Sequence, residues 1–157
     1  MTKAAERDDA TRVPSRDEAL RAVRRYITTY CRSGEQLPTL GDLHEELSYS
    51  KALIRGALTR LDTAGLIVWC RAWTATRVLK PGEIHPADVG LDRSVRERIS
   101  SGYYQPGQAL PTGLLADEHD LSVEEVPRAC RHLVRDGLLH HDDHGPFGPG
   151  LYVSAGI

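Results

Sequence analysis

The sequence predicts a mainly α protein with small β-hairpin wings, assembled as two tandem copies of one plan. Three observations carry that expectation. Apolar residues recur at helical spacing in short segments that Gly, Pro and Ser separate. The first group of segments leads into runs rich in β-branched and aromatic residues, Leu66-Ile67-Val68-Trp69-Cys70 and Trp73 to Leu79, which suits a short hairpin. The second half then repeats the first. At a constant offset of 72, Ser50 matches Ser122, Ile54 matches Val126, Ala57 matches Ala129, Leu61 matches Leu133, Gly65 matches Gly137 and Leu66 matches Leu138.

The elements follow in order. Residues 1–14 have no hydrophobic period and are expected to form a disordered arm. Ser15-Arg16-Asp17-Glu18 has the form of a capping box, and Leu20, Val23 and Ile27 continue a helical stripe to about Cys31. Gly34 ends that helix. Thr39 is the expected N-cap of a second helix, with Asp42 three residues on, running to about Leu47. A third helix from Ser50 places Leu53, Ile54, Ala57, Leu58 and Leu61 on one face and Lys51, Arg55 and Thr59 on another, until Gly65 stops it. Three helices followed by a two-stranded ribbon make a winged helix, so residues 15–80 form a first winged-helix domain.

Residues 81–90, with Pro81, Gly82, Pro86 and Gly90, have the composition of a linker. Beyond it Leu91, Val95 and Ile99 form a helical stripe, and Leu110-Pro111-Thr112 echoes Leu37-Pro38-Thr39. Residues 91–157 are therefore expected to form a second winged-helix domain, giving tandem winged helix-turn-helix domains.

Composition narrows the function classes. With 157 residues, 27% charged and 40% hydrophobic, the chain has the balance of a folded globular protein. Its longest apolar runs fall far short of the roughly 20 residues that a bilayer span needs, and the charged N-terminus lacks a signal-peptide core. No membrane association and a cytoplasmic location are expected. Cys31, Cys70 and Cys130 lie far apart without CxxC spacing, which argues against disulfides and zinc. His140-His141-Asp142-Asp143-His144 contains competent metal ligands. It falls at the expected turn of the second wing, however, where adjacent strand residues point to opposite faces, and neither metal nor cofactor is assigned. No nucleophile elbow, P-loop or HExxH motif occurs, so an enzyme is not expected.

Charge divides the two halves. Residues 1–80 carry 14 Lys and Arg against 10 Asp and Glu, a net of +4; residues 81–157 carry 6 against 12, a net of −6. Contact with a polyanion should come mainly from the first half.

The run Val95-Arg96-Glu97-Arg98-Ile99-Ser100-Ser101-Gly102-Tyr103-Tyr104-Gln105-Pro106-Gly107-Gln108-Ala109-Leu110-Pro111-Thr112 resembles the opening of the gluconate-repressor (GntR) winged-helix domain. Both halves echo that family's further order: an apolar helix, a recognition helix, an Ala-Leu pair and a Gly-Leu-Ile lead into the wing. The resemblance covers roughly residues 16–79 and 89–155. It implies that Ser50-Lys51-Ala52-Leu53-Ile54-Arg55 begins a recognition helix, with Lys51 and Arg55 facing the major groove. Thr39, at a helix N-terminus, would hold a phosphate. In the wing, Arg71 and Arg77 could enter the minor groove and Trp73 could pack on sugar or on the domain body. Leu53 replaces the family's usual threonine, and Gly41 stands where a basic residue is common, so the target sequence does not carry over.

The second copy departs further. Ser122-Val123-Glu124-Glu125-Val126-Pro127 puts Val123 and Pro127 opposite Lys51 and Arg55. Two carboxylates at a helix start suit capping and repel phosphate, and Pro127 is expected to delay the helix. The resemblance thus implies a sequence-specific DNA-binding protein, a transcriptional regulator whose first domain reads double-stranded DNA. Its second domain, with a degenerate recognition helix, would serve homodimerisation or binding of a protein partner. Two other functions fit the same residues: a protein-interaction module on a winged-helix scaffold, and a plasmid or phage DNA-maintenance protein.

Overall fold

The computed structural model describes residues 13–69 and 76–155. The protein is mainly helical, with two small antiparallel sheets of two strands each. It divides into two compact units, residues 1–62 with 66–80 and residues 63–65 with 81–157. Among the described residues no helix is long and apolar enough to cross a membrane.

In the first unit, α1 (Arg16–Tyr30) starts where the Ser15 side chain accepts a hydrogen bond from the Glu18 N–H, and it buries Ala19, Val23 and Ile27. Helix α2 (Leu40–Leu47) starts at Thr39 in a complete capping box with Asp42 and ends at Ser48, whose φ of 61° turns the chain away. Helix α3 (Lys51–Thr63) follows directly and buries Ile54, Ala57, Leu58 and Leu61. Leu53, expected on that buried face, is half-exposed; it lies one residue before Ile54, about 100° around the helix from it, at the edge of the stripe. The β1 strand (Ile67–Val68) pairs antiparallel with β2 (Arg77–Val78); residues 70–75 of the hairpin expected from Leu66 to Leu79 lie outside the described residues. Ile67 closes the core formed by Val23, Ile27, Leu37, Leu43, Ile54, Leu58 and Leu61.

The second unit begins earlier than its composition indicates. Residues 81–90, expected as linker, include a 3-10 turn (Pro86–Asp88) and the start of helix α4 (Val89–Ser100). Pro86 suits a first helical turn, and the carboxylate of Asp88 is buried in the unit. Helix α5 (Thr112–Glu118) begins with Thr112 already helical and Pro111 at the cap without a side-chain bond. Thr112 therefore does not repeat the capping role of Thr39. The expected third helix is divided: a 3-10 turn (Val123–Glu125), α6 (Val126–Ala129) and α7 (Arg131–Arg135), with Cys130 between them. The strands β3 (Leu139–Asp142) and β4 (Gly150–Val153) pair from Leu139↔Val153 to Asp142↔Gly150.

The two units repeat each other in their hydrogen bonds as well as in sequence. Gln36 bridges to Arg77, and Ala109 to Tyr152, so that each short segment before the second helix adds an edge to the sheet. Around that edge the Gly34 N–H donates to Val78 O at 2.9 Å and the Gly107 N–H to Val153 O at 2.8 Å. Val78 N–H donates back to Glu35 O and Val153 N–H to Gln108 O, each at 2.9 Å. Left-handed backbone recurs at matched points: Ser48 (φ 61°) with Asp120 (φ 53°), and Gly65 (φ 82°) with Gly137 (φ 80°). The glycines stop the third helix where a Cβ would be strained.

Candidate nucleic-acid interface

The N-terminus of α3 gathers three of the first unit's expected site residues, Ser50, Lys51 and Arg55. The Ser50 hydroxyl accepts from the Leu53 N–H at 3.2 Å and starts the helix. Lys51 and Arg55 follow one turn apart and are both exposed; residues four apart share one helical face. Among the described residues neither has a carboxylate partner. Arg60, near the far end of the helix, pairs with Asp17 at 3.1 Å with both side chains more than half exposed, a contact of small energetic worth.

Thr39 is exposed and caps α2, but its surroundings differ from the expectation of a free phosphate site. The Asp42 carboxylate accepts the Thr39 N–H at 3.2 Å, while Thr39 Oγ1 accepts the Asp42 N–H at 3.1 Å. One backbone donor at this terminus is therefore already taken by a carboxylate, which also opposes an incoming anion. Arg77 lies half-buried in β2, opposite Val68. Arg71 and Trp73 lie outside the described residues, as do Cys70 and residues 1–12 of the expected arm.

One further basic residue lies beside α3. Arg16, the exposed first residue of α1, borders a shallow groove with Ala52, Leu53 and Gly56 of α3. A Cβ on Gly56 would meet nothing within 4 Å. The groove thus exposes the helix backbone between Arg16 and the row formed by Lys51 and Arg55. The signal lay in the repeat, since the offset of 72 pairs Arg16 with Asp88 and Gly56 with Arg128.

Those counterparts fill the same place in the second unit. Arg128 Nε and Nη2 donate to the two Asp88 carboxylate oxygens, and Arg128 also reaches Glu125 at 3.2 Å. Both Arg128 and Asp88 side chains are buried. Glu125 in turn accepts the Ser122 N–H at 3.0 Å, completing a capping box. Burial works against the Glu125 carboxylate, but the bonds from Ser122 and the neighbouring Arg128 outweigh it and hold its pKa below the usual carboxylate value. Val123 and Pro127, which stand opposite Lys51 and Arg55, are exposed and uncharged. The second unit has spent its nearest cation on its own interior.

The histidine cluster disperses. His140 faces the Tyr152 ring and the Ser154 hydroxyl, while the Asp142 carboxylate accepts the His144 N–H at 2.9 Å. Among the described residues no group of three or more His, Cys, Asp or Glu side chains could hold a metal ion. Cys130 is buried beside Asp88 and Asp92; burial first, and then those carboxylates, push its thiol pKa up to about 12. Cys31 is half-buried, and burial with the nearby Glu35 raises its pKa as well.

Comparison of the chain with protein-family models, curated proteins and solved structures finds no match.

Proposed function

We propose that the chain is a sequence-specific DNA-binding protein and transcriptional regulator, built from two winged helix-turn-helix units of the gluconate-repressor type. The first unit reads DNA. The observation that carries this is the contrast between matched positions at the start of the third helix. Lys51 and Arg55 are exposed cations without carboxylate partners among the described residues, whereas their counterparts are Val123 and Pro127. Helix α3 would enter the major groove, where a long cationic side chain reaches guanine O6 and N7. Arg16, beside the open groove at Gly56, adds a cation for a flanking phosphate. Ser50 sets the helix start, and Thr39, Arg77, Arg71 and Trp73 belong to the contact surface by the family resemblance.

A unit with two principal base-reading cations needs a second half-site for affinity, so pairing of two chains is part of the proposal. A second reading, a protein-interaction module in which neither unit holds DNA, is favoured by the exposed apolar side chains Tyr103, Leu114 and Phe147.

The test is selection of bound fragments from a genomic DNA pool, followed by titration of the selected duplex at several salt concentrations. The double variant Lys51→Ala with Arg55→Ala is expected to lower specific affinity at least about 30-fold, since each base contact is worth roughly 1–3 kcal/mol. Arg16→Ala should weaken binding to all duplexes alike and reduce the salt slope by about 1. Unenriched fragments with no salt dependence would favour the interaction module.

A further inference from the structure

We infer that two copies of the chain pair through unlike faces, the α1 face of the first unit in one copy against the α4–α5 face of the second unit in the other. This pairing does not rest on DNA binding. The first face is a groove of about 990 Å³ bordered by α1 and the turn after α2. The rings of Tyr26 and Tyr30 lie 5.0 Å apart there, and Tyr30 is 70% exposed. Arg21, Arg24 and Arg25 border the same groove, and among the described residues none of the three is paired with a carboxylate. Tyrosine and arginine are the residues enriched at the energetic centres of protein interfaces.

The second face is a groove of about 750 Å³ bordered by α4 and α5. Tyr103 and Leu114 project from it, 73% and 65% exposed. Glu97 and Glu118 line it, and Asp117 is exposed one turn beyond Leu114. The cation within the groove, Arg98, is bound to Glu118 at 2.8 Å and to the Tyr104 hydroxyl at 2.9 Å. An apolar centre with an acidic rim results.

The two grooves overlap in the repeat, since Arg25, Tyr26 and Thr29 of the first stand 72 residues before Glu97, Arg98 and Ser101 of the second. From one plan, one groove has become basic and aromatic, the other acidic and apolar. Like faces would repel and unlike faces attract, so electrostatic complementarity selects the occupant of each groove. The net charges of +4 and −6 on the two halves act in the same sense at longer range. When both contacts form, two chains close with two-fold symmetry and leave neither groove open.

Charge reversal tests the pairing in the full chain. Sedimentation at roughly 100 µM protein, where dissociation constants below that value are visible, is expected to show a dimer. Arg24→Glu with Arg25→Glu makes both faces acidic; Glu97→Lys with Asp117→Lys makes both basic. Each variant alone should lose at least about 100-fold in dimer affinity, and an equimolar mixture should recover a heterodimer, because both mixed contacts then join opposite charges. Circular dichroism checks that each variant folds; two folded monomers that combine on mixing cannot be explained by loss of structure. A monomeric wild type, an open series of larger species, a dimer that survives either reversal, or a mixture that stays monomeric would each overturn the proposal.

Discussion

Arg128 grips Asp88 through two hydrogen bonds, Nε at 2.8 Å and Nη2 at 2.7 Å, with both side chains only 2% exposed. The pair joins the turn before α4 to α6, two segments 40 residues apart in sequence. Removing one partner strands the other charge out of water, whereas replacing both with apolar groups removes the problem. Asp88→Ala is expected to destabilise the protein by about 3–5 kcal/mol, and Asp88→Leu with Arg128→Met to restore most of that loss. Urea denaturation of the full chain measures both.

Gly56 offers the opposite case. It sits inside α3, exposed, and a Cβ there meets nothing within 4 Å. Glycine in an exposed helix interior costs about 1 kcal/mol relative to alanine. Gly56→Ala should therefore raise stability by roughly 0.5–1 kcal/mol, read as a higher urea midpoint with unchanged slope. A loss of stability would mean that the helix backbone at Gly56 already touches something.

The two neighbouring glutamates of the second unit should behave differently. Glu124 is exposed, and Glu124→Ala should change stability by less than about 0.5 kcal/mol. Glu125 closes the capping box and touches Arg128, so Glu125→Ala should cost about 1–2 kcal/mol. Its pKa is lowered in the folded chain, so its contribution is present above the ordinary carboxylate pKa and is lost as pH falls through the folded value. The difference between wild type and Glu125→Ala should accordingly shrink on acidification. On the proposed function, neither change should alter DNA binding.

Cys130 sets a limit at the alkaline end. The folded chain keeps its thiol protonated up to about 12, against an ordinary value of 9.0, so between those two pH values the unfolded chain loses a proton that the folded one retains. Stability falls as pH rises there, by up to about 1.4 kcal/mol per pH unit from this group. Cys130→Ala should flatten that part of the profile. At neutral pH alkylation of Cys130 should be slow until the chain unfolds, because thiolate and access are both lacking.

Much of the helical plan was legible because it is local. Val23, Ile27, Ile54, Ala57 and Leu61 declare their buried faces by spacing alone, and Ser15, Thr39 and Ser50 declare the helix starts. The strands were less legible, since their length depends on a partner segment; among the described residues of the first unit, Ile67–Val68 pairs with Arg77–Val78 and Gln36 bridges to Arg77. Asp88 was concealed among linker-like residues, because its partner Arg128 lies 40 positions away and neither charge announces burial. The expected DNA-facing residues Lys51 and Arg55 do share an exposed face, whereas at Thr39 the Asp42 carboxylate takes up one backbone donor of the N-cap. The position of Arg16 beside α3 was not legible, because it precedes the helical stripe of α1 and its neighbours Ala52, Leu53 and Gly56 lie about 40 positions on.

The divided helix of the second unit also acts as a ratchet. Cations placed at Val123 and Pro127 would not by themselves make it a reader, because the helix there starts late and is interrupted at Cys130. To open the groove as in the first unit, Arg128 would have to release Asp88 and abandon a carboxylate in the interior. Breaking that pair is a loss of stability that precedes any opening of the groove. Once taken, the specialisation of the two halves is guarded by folding itself, whatever partner either half contacts.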